Sequence, residues 1–182
     1  MSTLINVCDI ECTCDNGHSN QNSDIIEFGI SVIDYRSLEI VKAASIIVKP
    51  TTQNISSYCT TLTSITQEMV DEGITFIEAC SILRKEYAST NRIWGSWGNF
   101  DKHIIQDQCE RENVPYPFGY VTHLNIKTLF KLAYPSLKKE VDMTTALKIM
   151  NIEMEGTLHR GSDDSLNIAL IFCVLLKRLR VK

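Results

Sequence analysis

Leu4-Ile5-Asn6-Val7-Cys8-Asp9-Ile10-Glu11-Cys12 is a mostly apolar run with two carboxylates set two residues apart near its end. The run reads as a β-strand, and strand side chains alternate between faces, so Asp9 and Glu11 project from the same face. Two acids on one face of a central strand repel each other. Burying them is costly unless a cation compensates the charge, and hard oxygen ligands at this density suit Mg²⁺ or Mn²⁺. The pair therefore predicts a metal site.

Outward from this strand, two further strand-like segments follow at 25–34 and 40–49, with Pro50 ending the second. The short connection between them favours an antiparallel arrangement. The polar stretch 15–22 is long for a hairpin turn and is expected to border the site. A short helix is expected over 64–71, ending before Gly73. Thr75 caps the next helix, in which Phe76, Ala79, Cys80, Leu83 and Tyr87 recur at helical spacing. Beyond them the pattern predicts a strand at 92–97, a helix over 100–113 and a strand at 120–125. Helices at 127–133, 143–150 and 163–180 complete the chain. Three antiparallel strands followed by alternating helix and strand make an α/β fold with a central mixed sheet flanked by helices. A single domain over 1–182 is expected from the length.

Three more residues join the acid pair. Asp101 closes Gly98-Asn99-Phe100-Asp101, just after the apolar segment Ile93-Trp94-Gly95-Ser96-Trp97. His159 stands five residues before Asp164 in His159-Arg160-Gly161-Ser162-Asp163-Asp164, where the C-terminal helix opens. The helix dipole favours acids in a first turn, which is a purely structural reason for Asp163 and Asp164. Periodicity does not choose between them. Leu166 and Leu170 follow one acid at helical spacing, and Ile168 and Ile171 follow the other.

In order and spacing, Asp9-x-Glu11, Asp101 after Asn99-Phe100, and His159-x4-Asp164 resemble the motifs of the DEDDh 3′-to-5′ exonucleases. The likeness is strongest to the RNA-directed group acting in histone-mRNA and RNA-interference 3′ processing. Cys59-Thr60-Thr61-Leu62-Thr63-Ser64-Ile65-Thr66-Gln67, followed by Val70-Asp71 and Thr75-Phe76, is similar to that group's segment after its third strand. The stretch from His159 to Ala169 is similar to its third motif. Gly161 stands where many DEDDh enzymes carry Ala, a change that suits the RNA-directed group.

The resemblance implies an RNase H-like fold and a metal-dependent 3′-to-5′ exonuclease that releases 5′-mononucleotides from single-stranded RNA 3′ ends. It also implies two ions, Mg²⁺ or Mn²⁺, and selects Asp164 over Asp163. On this reading Asp9 bridges both ions, Glu11 and Asp164 complete the one holding the attacking water, and Asp101 holds the second. His159 is the general base, since imidazole titrates near neutral pH. Phe100 stacks on a terminal base or packs in the core, and Thr13 is a candidate substrate contact. His18, His103 and His123 read as surface histidines, and Trp94 and Trp97 as core. The alternatives are a DNA-directed exonuclease of proofreading or repair type, and a non-catalytic nucleic-acid-binding module.

Composition agrees with a soluble globular chain at 44% hydrophobic and 22% charged residues. The longest apolar stretch, 168–176, is too short to span a bilayer, so no membrane partner is expected. Seven cysteines without framework spacing point to a reducing compartment, cytoplasmic or nuclear. Cys12-Thr13-Cys14 with His18 lacks the second ligand pair of a zinc site. A net charge of −4 is unusual for a protein that binds nucleic acid. Metal ions resolve part of this by presenting positive potential from an acidic site. The clusters Lys138-Lys139 and Lys177 to Lys182 read as solvated ends rather than a substrate track. With no broad basic groove or appended RNA-binding module expected, substrate choice falls to end accessibility or an adaptor protein.

Overall fold

The computed structural model describes residues 3–15, 23–52, 54–119 and 122–180. Its sheet has five strands: β1 (Leu4–Cys12), β2 (Ile25–Asp34), β3 (Glu39–Ile47), β4 (Trp94–Ser96) and β5 (His123–Asn125). They lie in the order β3-β2-β1-β4-β5, so β1 is central. β2 runs antiparallel to both β1 and β3, whereas β4 pairs parallel with β1 and β5 parallel with β4. This is the mixed sheet expected.

Seven helices are described: α1 (Ser57–Thr63), α2 (Gln67–Asp71), α3 (Phe76–Glu86), α4 (Phe100–Glu112), α5 (Ile126–Ala133), α6 (Met143–Met150) and α7 (Gly161–Arg180). Alternation along β1 sorts its side chains between two cores. Cys8 and Ile10 face a cluster with Ala79, Leu83, Ile105 and Cys109 of α3 and α4. Ile5 and Val7 face a cluster with Ile126, Leu147, Ile168 and Phe172 of α5, α6 and α7. Asp9 and Glu11 share the parity of Ile5 and Val7, so they emerge on the α5–α7 side.

The expected helix over 64–71 shortens to α2, and α1 precedes it where no helix was expected. Ser56 caps α1 by accepting from the Cys59 N–H at 3.0 Å, and Ser64 then takes a left-handed conformation at φ 62° that ends it. Thr61 and Thr63 donate their hydroxyls back to the carbonyls of Ser57 and Cys59. Such local bonds weaken threonine-rich stretches as helix formers, which obscures α1 in the sequence. Thr75 forms the expected cap, with Glu78 completing a capping box. The strand expected at 92–97 shortens to Trp94–Ser96. Of that expected at 120–125, residues 120 and 121 lie outside the described ones, as do most of the polar stretch 15–22 and His18.

The start of α7 lies hard against β2. A methyl group built on Gly29 would overlap the Gly161 carbonyl, and one on Gly161 would come within 3.0 Å of Gly29 N. Ser31 and Ser165 exchange a hydrogen bond at 3.0 Å one turn further along. Gly29→Ala is expected to destabilise the fold by about 3 kcal/mol, the upper end of overpacking costs, because backbone rather than a side chain must yield. Urea unfolding should show a lower midpoint with an unchanged slope. A midpoint equal to wild type would show that the two backbones do not touch.

Candidate active site

Five residues brought together by four segments line one cleft of about 450 Å³: Asp9 and Glu11 from β1, Asp101 from α4, His159 from the preceding turn and Asp164 from α7. Asp101 sits in the first turn of α4, 5% exposed, and its Oδ1 accepts the Ile10 N–H at 3.2 Å. That bond ties the helix start to the strand between the two other acids. Asp164 settles the choice that periodicity left open. It is buried on the same stripe as Ile168 and Ile171, while Asp163 turns to the Thr157 N–H at 2.7 Å.

His159 is held unusually. Its backbone is left-handed at φ 62°, and its N–H donates to Asp164 Oδ2 at 2.9 Å. Few residues other than glycine adopt this conformation, and a histidine kept there by a carboxylate is a local strain fixed by its surroundings. The other oxygen, Asp164 Oδ1, is buried without a hydrogen-bond partner.

Electrostatics of the cleft follow from crowding. Burial and repulsion from Asp101, Glu11, Asp164 and Glu27 push the Asp9 carboxyl well above its ordinary range. Burial first, then Asp164, Glu27 and Asp101, raise Glu11 to about 9, with Arg160 opposing. Burial raises Asp101 and Asp164 to about 6 each, against the hydrogen bonds both accept. Carboxyls so reluctant to ionise together are suited to a divalent cation. Ligand atoms of Glu11, His159 and Asp164 lie within 4.8 Å of one another. With the unpartnered Asp164 oxygen, these features fit a metal ion.

Phe100 lines the cleft and is 55% exposed, so it is not a core residue. Trp97 also lines the cleft, with its indole N–H donating to the Val141 carbonyl at 3.2 Å. Trp94 is core, stacked on Phe118 at 4.0 Å. Thr13 stands apart from these residues. Its hydroxyl accepts the Asp24 N–H at 2.9 Å and its own N–H donates to the Asp24 carbonyl, so it closes the β1–β2 connection and does not line the cleft. His103 is exposed, but His123 is not a free surface histidine. It bonds Ser96 Oγ at 2.9 Å and tilts against Trp94, and burial, with Lys102 and His103, lowers it to about 4.

Glu27 was not among the expected residues. It is fully buried on β2, opposite Glu11 in register. It accepts from Ser45 Oγ at 2.5 Å, from the Gly161 N–H at 2.9 Å and from Arg160 Nε at 3.3 Å. Glu27 thereby anchors the turn that carries His159. The available signal was a lone acid inside Ile25-Ile26-Glu27-Phe28, because a buried charge needs partners.

The basic end of α7 does not reach the cleft. Arg178 lies over Tyr134, and Arg180 lies over Tyr35 and donates to the Arg36 carbonyl. Arg180 lies 16 positions beyond Asp164 along the helix, roughly 24 Å away. No helix among the described residues is long and apolar enough to cross a membrane, and all seven cysteines are free thiols.

Comparison with known proteins places this chain in a family. The sequence profile of the exonuclease family matches residues 7–172. Rat 3′-5′ exoribonuclease 1 is 28% identical over 185 residues, covering 94% of this chain and 52% of the rat protein. Human ERI1 exoribonuclease 2 is 28% identical over 91% of this chain and 27% of its own length. The chain thus spans about half the length of the first of these relatives, and less of the second. The nuclease domain of 3′hExo, a DEDDh family member solved with bound rAMP, superposes with a TM-score of 0.88 at 26% identity, covering 97% of this chain and 93% of that domain. With a family profile that matches residues 7–172 and so includes every acid of the cleft, this chain belongs to the exonuclease family.

Proposed function

We propose that this protein is a divalent-metal-dependent 3′-to-5′ exoribonuclease that releases 5′-mononucleotides from single-stranded RNA ends. The observation that carries the reading is the convergence of Asp9, Glu11, Asp101, His159 and Asp164 on one cleft. The names of the related exoribonucleases, and rAMP bound to a neighbour at 26% identity, support RNA as the substrate.

Asp9, Glu11, Asp101 and Asp164 would hold two ions, Mg²⁺ or Mn²⁺. Bound there, the ions supply Lewis-acid activation of water and stabilisation of the leaving 3′ oxygen. The chain's own residues do the rest. His159, on its fixed turn, takes the proton of the attacking water. Phe100, exposed beside Asp101, offers its ring to the terminal base, a contact indifferent to base identity. Ile10 and Gly161 hold the acids in place through backbone N–H groups spent on Asp101 and Glu27.

Matched RNA and DNA oligomers, labelled at either end and incubated with Mg²⁺, Mn²⁺ or EDTA, test the reading. Mononucleotides released from the 3′ end of RNA, faster than from DNA and abolished by EDTA, are expected. Faster loss of DNA would move the protein to the proofreading or repair type. Binding without release under every metal condition would make it a non-catalytic module.

A further inference from the structure

Ser96 is the last residue of β4, wholly buried, and its hydroxyl lies outside the lining of the cleft. It bonds His123 Nε2 at 2.9 Å and donates to the Gly98 carbonyl at 3.1 Å, with the Asp101 carboxyl as a second acceptor. A serine hydroxyl has one proton to give. That proton goes toward Gly98 or Asp101, so His123 Nε2 is the donor in its bond to Ser96, which assigns the Nε2–H tautomer.

Trp94 pairs with His123, and Ser96 with Asn125, along β4 and β5. By strand alternation, all four side chains share the face on which Trp94 joins the α3–α4 core. Asp9 and Glu11 leave the opposite face, so this cluster stands behind the cleft rather than in it.

The cluster holds the turn from which α4 starts. Gly98 N–H donates to the Ser96 carbonyl at 3.0 Å, and its φ of 118° is one that glycine takes readily and other residues rarely do. A methyl group there would meet nothing closer than Lys127 at 4.0 Å, so conformation rather than space calls for glycine. Asn99 is the N-cap of α4 yet makes no side-chain cap bond. An asparagine in that place ordinarily spends its oxygen on a helix N–H. Here Oδ1 accepts from Asn125 Nδ2 at 3.3 Å, while Asn125 Oδ1 caps α5 through the Thr128 N–H at 2.9 Å. β5 thus grips both ends of the Ser96–Asn99 turn, two residues before Asp101.

We propose that His123 and Ser96 are positioning residues for Asp101, fixing its carboxylate for the metal site without touching metal or substrate. The proposal rests on the exonuclease reading of the cleft, in which Asp101 holds an ion. Burial raises Asp101, and its own N–H, the Ile10 N–H and the Ser96 hydroxyl oppose the rise. The imidazole is itself seated 4.3 Å from Trp94, which is stacked on Phe118, so the brace has a rigid mount. Groups that orient a ligand carboxylate from behind change metal affinity or activity by about 10–100-fold when lost.

Three variants test this. His123→Phe keeps a ring against Trp94 and removes the donor, His123→Gln returns an N–H donor, and Ser96→Ala removes the hydroxyl. In Mn²⁺ titration calorimetry, His123→Phe and Ser96→Ala should bind about tenfold more weakly than wild type. On a single-stranded RNA oligomer their kcat should fall by about tenfold with KM little changed, since neither residue meets the substrate. His123→Gln should recover most of both. In the metal-free protein, hydrogen exchange at the Ile10 amide, which bonds Asp101 Oδ1, should quicken in His123→Phe and Ser96→Ala while the other protected amides of β1 keep their wild-type rates. Wild-type Mn²⁺ affinity and Ile10 exchange in both variants overturn the proposal. So does quickened exchange throughout the sheet, or a loss that His123→Gln leaves unrepaired, either of which makes the cluster a support of the fold alone. A wild type that hydrolyses no RNA would count against the exonuclease reading, while the Ile10 exchange rates would still decide the brace.

Discussion

Asp9→Asn is expected to lower turnover by about 10³-fold, the scale on which one preorganised charge matters to a transition state, while leaving the fold intact. Asp9 stands between Asp101 and Glu11 on the central strand, with Asp164 also close enough to repel its ionised form. The same crowding predicts the opposite sign for stability. Without metal, the neutral amide relieves a repulsion that the wild-type chain carries, so the variant should melt at or above the wild-type temperature in EDTA. The pH dependence follows in sign. Folding raises Asp101 and Asp164 to about 6 and Glu11 to about 9, so the folded state binds more protons than the unfolded chain above their ordinary range. Stability of the metal-free protein then falls as pH rises through those values. A saturating divalent cation should flatten the fall. Melting scans at pH 5 and pH 8, with and without Mn²⁺, measure both effects. Activity that survives in Asp9→Asn or in excess EDTA would sink the metal reading.

The acid pair and the Asp101 motif could be read from the sequence because each is local. The two-residue period of a strand puts Asp9 and Glu11 on one face whatever the rest of the chain does, and Asp101 lies in a helix's first turn directly after a strand. The identity of the inward acid on α7 was different, since Asp163 and Asp164 are each followed by apolar residues at helical spacing. Packing decides it, because Ile168 and Ile171 face the sheet and Leu166 and Leu170 are only half-buried. Longer-range features could not be placed from the local sequence alone. The Gly29–Gly161 contact joins residues 132 positions apart in the numbering, and Glu27 becomes intelligible only when Ser45, Arg160 and Gly161 surround it. His123 was misread for the same reason, as nothing near it in sequence indicates Ser96 or Trp94 as its neighbours.

His159→Ala is expected to cost about 10²–10⁴ in turnover, the range for a positioned general base. The structure sharpens what must be separated in that experiment. Glu11, His159 and Asp164 bring ligand atoms within 4.8 Å of one another, so a metal ion in the cleft could be met by the imidazole as well as the carboxylates. As base, His159 acts on water and leaves metal affinity almost unchanged. As ligand, its removal weakens metal binding together with turnover. Its fixed backbone, N–H to Asp164 and chain to the Glu27-anchored Gly161, keeps the turn in place when the ring is removed, so loss of the fold does not confuse the comparison. Calorimetric titration of wild type and His159→Ala with Mn²⁺, alongside rate profiles across pH, divides the two cases. A base predicts matching Mn²⁺ isotherms and a variant rate whose pH profile differs from that of wild type. Weaker Mn²⁺ binding in the variant, by tenfold or more, would make His159 a ligand and assign the proton transfer to another group in the cleft.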